Sequence, residues 1–115
     1  MGIVHHSNYL KYFELGRLEW LSKIGISYSK IENDGIIMPV VNASLDYKAF
    51  AFFDDELTIR IKLITPPTSR IIFHYEIKNQ NGEIICLANT TLCFLDNVSR
   101  KPIKCPSSLR EIFMF

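Results

Sequence analysis

Long apolar runs are missing from this sequence. The longest, such as Ala49 to Phe53, fall far short of the roughly 18 residues that span a bilayer, so no membrane-spanning helix is expected. The opening MGIVHHSNYLKYFE has neither the basic leader nor the apolar stretch of a secretory signal. His6 stands where a myristoylation site needs Ser or Thr. Charge of one sign is missing too: 13 Lys and Arg face 12 Asp and Glu, a formal +1, with no basic block of the kind that binds nucleic acid. Cysteine is sparse, and Cys86, Cys93 and Cys105 form no CxxC pair. They read as buried thiols in a reducing compartment, and a cytoplasmic location is expected.

What is present is an ordinary core. Apolar residues make up 48% and charged residues 22% of 115, which suits a single domain over residues 1–115 and excludes disorder. From Tyr9 to Ile24 the apolar residues Leu10, Phe13, Leu18, Leu21 and Ile24 recur near the helical period of about 3.6. Ser7 or Asn8 is expected to cap the start and Gly25 to end the helix. Gly16 costs about 1 kcal/mol relative to Ala in mid-helix, so close approach to a packed neighbour is expected there. Tyr12, Leu15 and Trp20 widen the apolar surface, predicting a helix surrounded on most sides.

A period of two follows. Val41, Ala43, Leu45 and Tyr47 form one alternating run; Leu57, Ile59, Ile61 and Leu63 a second, stopped by Pro66-Pro67; and Ile71, Phe73, Tyr75 and Ile77 a third. Asn81-Gly82 then signals a hairpin, as both residues tolerate positive φ. Glu83 to Leu95 reads as a longer strand, apolar on both faces, in which Cys86 and Cys93 point opposite ways. Residues 96–102 read as a turn and Ser107 to Phe113 as a short terminal helix. One helix followed by about four antiparallel strands predicts an α+β layout, with the sheet curling around the helix. A sheet face left open at this size predicts an oligomer.

Gly2-Ile3-Val4-His5-His6, then Asn8-Tyr9, with Tyr12-Phe13-Glu14 and Arg17 after them, resemble the signature of the hotdog-fold acyl-CoA thioesterases of the 4-hydroxybenzoyl-CoA thioesterase type. The likeness continues through Asp46-Tyr47-Lys48, Phe53 to Leu57 and Asn81-Gly82-Glu83. It implies a long central helix wrapped by a curved antiparallel sheet, a homodimer or homotetramer with sites at subunit interfaces, and no metal or redox cofactor. In the family the catalytic Asp lies three residues before the motif glycine, which is two residues upstream of Met1. Met1 is therefore expected to correspond to an internal methionine, with the first strand and its carboxylate upstream.

Thioester hydrolysis needs an attacking water or carboxylate, donors for the carbonyl oxygen and a seat for CoA. The first turn of a helix offers unpaired N–H groups and a partial positive charge, and the motif leads into such a turn at His6 to Tyr9. His6 is expected either at the cleft, positioning substrate, or as a hydrogen-bonded loop residue. Asn8 orients the carboxylate or a water, or caps the helix. Tyr9 lines the acyl site or packs. Glu14, the only carboxylate near the helix start, is either a substitute base or a partner of Arg17. Adjacent His5 and His6 have no further ligand at metal spacing, and neither Cys86 nor Cys93 has a context that activates a thiol. Lys48, Arg70, Arg100 and Lys101 end strands or sit in turns and are candidates for the CoA phosphates, with Ser69 beside Arg70. Each is otherwise a solvated surface residue. The expected activity is hydrolysis of an acyl-CoA to a carboxylic acid and CoA, and the alternative is a module that binds acyl-CoA or acyl-carrier protein without turnover. Acyl preference is not legible.

Overall fold

The computed structural model describes residues 7–113. Along the chain come helix α1 (Ser7–Lys23), helix α2 (Tyr28–Asn33), and strands β1 (Ile36–Ile37), β2 (Val40–Tyr47), β3 (Thr58–Lys62), β4 (Arg70–Lys78), β5 (Ile84–Cys93) and β6 (Leu95–Asp96), then helix α3 (Ser107–Ile112). Four strands form an antiparallel sheet in the order β2-β5-β4-β3, and β1 pairs with β6 in a separate two-stranded piece. This is the expected α+β hotdog arrangement. No helix among the described residues is long and apolar enough to cross a membrane.

Helix α1 ends as Gly25 predicts. That residue sits at φ +89°, the Gly25 amide bonds the Ser22 carbonyl at 3.1 Å, and the Ile26 amide reaches back to Leu21 at 2.8 Å. These two bonds satisfy carbonyls the helix leaves free, and buried Leu21 and Ile26 complete the cap. At the other end the expectation is corrected. Ser7 and Asn8 are the first two residues of the helix itself, so the capping position precedes the described residues. Short α2 was not foreseen, because a helix of six residues with only Ile31 buried carries no readable period.

The sheet presents an inner and an outer face. On β4, Ile71, Phe73, Tyr75 and Ile77 are buried while the intervening residues are half-exposed. Ala88, Thr90 and Leu92 on β5 are buried beside them. Ile77 faces Cys86 and Lys78 faces Ile84, so Ile85 is an extra residue in a bulge. Both Ile85 and Cys86 are therefore buried, which explains why this strand reads as apolar on both faces. Cys86 is buried and Cys93 half-buried on the opposite face, as expected. The β4–β5 hairpin forms where Asn81-Gly82 predicts, although only Gly82 has positive φ, at +77°. The Gly82 amide bonds the Asn79 carbonyl and the Asn79 amide bonds Glu83, both at 3.1 Å, which leaves the left-handed residue to glycine alone.

Helix α1 lies on the inner face near β3 and β4. Phe13 packs on Tyr75 with ring centroids 4.5 Å apart. Trp20 meets Phe73 edge-on at 5.7 Å and stacks on Phe113 at 6.2 Å. A Cβ added at Gly16 would lie 3.1 Å from Ile61 Cδ1 and 3.7 Å from Ile59 Cγ2, which is the close approach that its presence in mid-helix implies. The helix is not surrounded, however. Leu10, Leu15 and Leu18 are 48%, 65% and 40% exposed, because the sheet covers one side of α1 only.

The Gly16 contact yields a prediction. Its nearest neighbour is the end of a flexible side chain, so Gly16→Ala is expected to leave stability within about 1 kcal/mol of the parent, helix propensity offsetting the contact. Gly16→Leu overfills the same space and is expected to cost about 1–3 kcal/mol. Urea unfolding of both variants measures the difference.

Candidate active site at the start of helix α1

The first turn of α1 is held by aromatic packing. Tyr9 is 3% exposed. Its ring lies edge-on to Tyr12 at 5.9 Å and to Tyr47, at the end of β2, at 5.4 Å. Burial raises the Tyr9 phenol pKa, and Cys86, Tyr12 and Tyr47 add to the rise against a backbone hydrogen bond at Ala51. Tyr9 thus anchors the helix start to the end of β2 and the loop after it. His6 lies outside the described residues.

That loop, residues 48–57, carries a feature not singled out in the sequence. Ala51 is fully buried, while Phe50, Phe52 and Phe53 are 70%, 46% and 71% exposed. Together with half-exposed Tyr47 they set an apolar surface beside the helix start. Phe50-Ala51-Phe52-Phe53 was the available signal, since three phenylalanines in a segment without alternation have no strand face to fill. The neighbouring Asp55 fixes this loop. Its carboxylate accepts the Phe52 amide and Gln80 Nε2, each at 2.9 Å, tying the loop to the β4–β5 hairpin.

The remaining candidates divide between the two ends of the sheet. Lys48 follows β2 and pairs with Asp46 at 2.7 Å, close to the helix start. Ser69 precedes and Arg70 begins β4 beside the end of β5, where the Phe94 amide bonds Ser69 O at 3.0 Å. Arg100 and Lys101 sit in the adjoining turn, Arg100 at φ +62° and Lys101 accepting the Asp96 amide at 3.0 Å. The ladder places Tyr47 opposite Cys86 but Arg70 opposite Cys93, a separation of about 23 Å along a strand. One chain therefore does not bring Lys48 together with Ser69, Arg70, Arg100 and Lys101.

Glu14 is exposed and shares an i, i+4 stripe with exposed Leu10 and Leu18. It does not pair with Arg17, whose Nη1 instead donates to Tyr75 Oη at 3.0 Å. Asn8 is half-buried in the first turn. Burial raises the Cys86 thiol pKa, and it pushes Cys105 up to about 11. Both thiols are thus protonated near neutral pH and unsuited to nucleophilic attack. His74 faces Lys62 and Asn89 across the sheet, on the side away from α1.

Two open edges flank this arrangement. On one, β2 has no partner beyond β5 among the described residues, and Val40, Val41 and Tyr47 are 47%, 48% and 49% exposed. On the other, a groove of about 340 Å³ runs between α1 and β3, lined by Tyr12, Leu15, Trp20, Leu57, Ile59 and Ile61.

A helix start seated on a hotdog sheet beside an apolar surface is the setting of a thioester hydrolase. The comparisons give the family: residues 1–113 match the thioesterase-like superfamily, and the chain belongs to it. It is 31% identical to YneP of Bacillus subtilis over 90% of this chain and 75% of that protein. It is 24% identical to the acyl-CoA thioester hydrolase YbgC of Escherichia coli, over 94% and 81%. Among solved structures, a DHNA-CoA thioesterase from Staphylococcus aureus superposes with a TM-score of 0.90 at 31% identity, covering 98% of this chain and 78% of that one.

The Asp55 carboxylate is held below its ordinary pKa, first by the Phe52 amide and then by Gln80. A carboxyl group more acidic in the folded than in the unfolded state stabilises the fold above the unfolded value, near pH 4, and loses that contribution as pH falls through the folded value. The Phe52 amide is therefore expected to exchange faster with solvent, relative to its intrinsic rate, as pH falls below about 4. Asp55→Asn is expected to show the looser loop already at neutral pH. Hydrogen exchange followed by NMR reads both effects.

Proposed function

We propose that this chain hydrolyses an acyl-CoA thioester at the start of α1. Water adds to the carbonyl carbon, the C–S bond breaks, and the sulfur leaves as the CoA thiol while the acyl group leaves as a carboxylic acid. The free amides of the first helical turn stabilise the oxyanion. The observation that carries this reading is the anchoring of that turn by buried Tyr9, 5.4 Å from Tyr47 and beside the exposed phenylalanines of the loop. Those residues offer an apolar acyl group a surface next to the oxyanion donors. Asn8 orients the attacking water, His6 positions substrate, and Glu14 is the candidate base within residues 1–115.

The working unit is a homodimer or a pair of such dimers, in a reducing cytoplasm. The edge of β2, unpaired among the described residues, and its exposed valines invite antiparallel pairing with a second copy. Such pairing swings the far end of one sheet toward the helix start of the other. Ser69, Arg70, Arg100 and Lys101 of one protomer then join Lys48 of its partner around the CoA phosphates.

A second reading, an acyl-CoA or acyl-carrier-protein binding module without turnover, draws on the exposed position of Glu14, away from buried Tyr9 and Phe13.

Thiol release from short-chain, long-chain and aromatic acyl-CoAs separates the two readings, measured on size-fractionated protein together with Glu14→Gln and a version extended upstream. Turnover by the oligomer, reduced at least about 100-fold in Glu14→Gln, places the base on Glu14. Turnover confined to the extended version places the base outside residues 1–115. Saturable binding without thiol release in every version overturns the hydrolase reading.

A further inference from the structure

Helix α1 poses a problem of orientation. Apolar residues lie all round it: Tyr9, Phe13 and Leu21 are buried, yet Leu10, Leu15 and Leu18 are exposed. Burial of apolar surface is non-directional, so it specifies the roll and axial setting of such a helix only weakly. Beside the Tyr9 hydrogen bond at Ala51 in the first turn, a directional contact near the middle of the helix supplies what burial does not. Arg17 Nη1 donates to Tyr75 Oη at 3.0 Å, and Tyr75 Oη shares a 2.6 Å hydrogen bond with Thr90 Oγ1. Tyr75 on β4 and Thr90 on β5 are 3% and 1% exposed, on the two central strands of the sheet. The chain of bonds thus runs from the helix into the middle of the core. Burial raises the Tyr75 phenol pKa, and the hydrogen bonds from Arg17 and Thr90 and the Arg17 charge only partly oppose that rise.

We propose that Arg17 is a positioning residue for thioester hydrolysis, fixing through Tyr75 and Thr90 the setting of α1 and so the aim of the amides at its first turn. This rests on the hydrolase reading above. Arg17 stands ten residues beyond Ser7, about 15 Å along the helix axis. A helix transmits a slide or roll at one end to the other, and a misplacement of about 1 Å at the reacting atoms costs about 100-fold in rate.

Arg17→Met tests the tether. It keeps the length of the aliphatic stem, removes the donors, and leaves Tyr75 and Thr90 bonded to each other, so no buried polar group is orphaned. Acyl-CoA hydrolysis is expected to lose about 10-fold or more in kcat, with KM within about twofold. Arg17→Lys, with a single point-like donor group, is expected to fall between the parent and Arg17→Met. Independently of activity, the amide resonances of Asn8 to Leu10 are expected to shift in Arg17→Met, although the substituted residue is about two turns away. A lowered Tm with unchanged kcat and unchanged first-turn amides assigns Arg17 a merely structural role and overturns the proposal. If neither the parent nor the version extended upstream shows turnover, the hydrolase reading fails by itself and the amide resonances alone decide whether Arg17 sets the helix.

Discussion

Phe13 against Tyr75, with Gly16 against Ile61 one turn later, is the contact on which the rest of the molecule depends. Their separations, 4.5 Å between ring centroids and 3.1 Å to the position of a Cβ at Gly16, bring the helix backbone close to the sheet. Everything with chemical meaning lies along that axis. The first-turn amides stand at its beginning, the Arg17 hydrogen bond near its middle, and the Schellman cap and the Trp20–Phe113 stack toward its end. If the helix stood further from the sheet, Tyr9 would lose Tyr47 and Arg17 would lose Tyr75.

The sheet is finished on its inner face and unfinished at its edges. Alternation on β4 and β5 buries an unbroken row of side chains under α1, while among the described residues β2 and β3 keep one unpaired flank each. Unpaired edges with exposed valine, isoleucine and aromatic residues are costly to leave in water. The same economy applies to the candidate CoA residues, which one sheet holds about 23 Å apart along its strands. The proposed dimer draws on both edge and site: a second copy laid antiparallel along β2 is expected to cover the apolar edge and unite the two ends.

Much of this was legible in the residues themselves. The helix, the strand alternation, the Asn81-Gly82 hairpin and the terminal helix all appear within two or three residues of where periodicity and turn chemistry put them. Gly16 announced a close approach, and Gly25 a left-handed helix end. The failures have local causes. Ile85 in its bulge blurred the faces of β5, and α2 is too short for a period. The apolar breadth of α1 suggested burial on most sides, when those leucines lie beyond the reach of one four-stranded sheet. The candidate site was legible only in part. The motif located the helix start, but sequence spacing carries no information about which end of a sheet a turn occupies, so Lys48 and Arg70 looked like members of one set. Nor did the sequence reveal that Arg17 would turn from Glu14 to Tyr75, since that choice follows from the roll of the helix on the sheet.

The central claim is that the first turn of α1 receives the thioester carbonyl. NMR titration with a non-hydrolysable thioether analogue of an acyl-CoA tests it without requiring turnover. The account predicts saturable shifts in the amides of Asn8, Tyr9 and Leu10 and in the loop from Lys48 to Phe53. Saturable shifts confined to the outer face of the sheet, around His74 and Asn89, with the first turn of α1 unmoved, would contradict it.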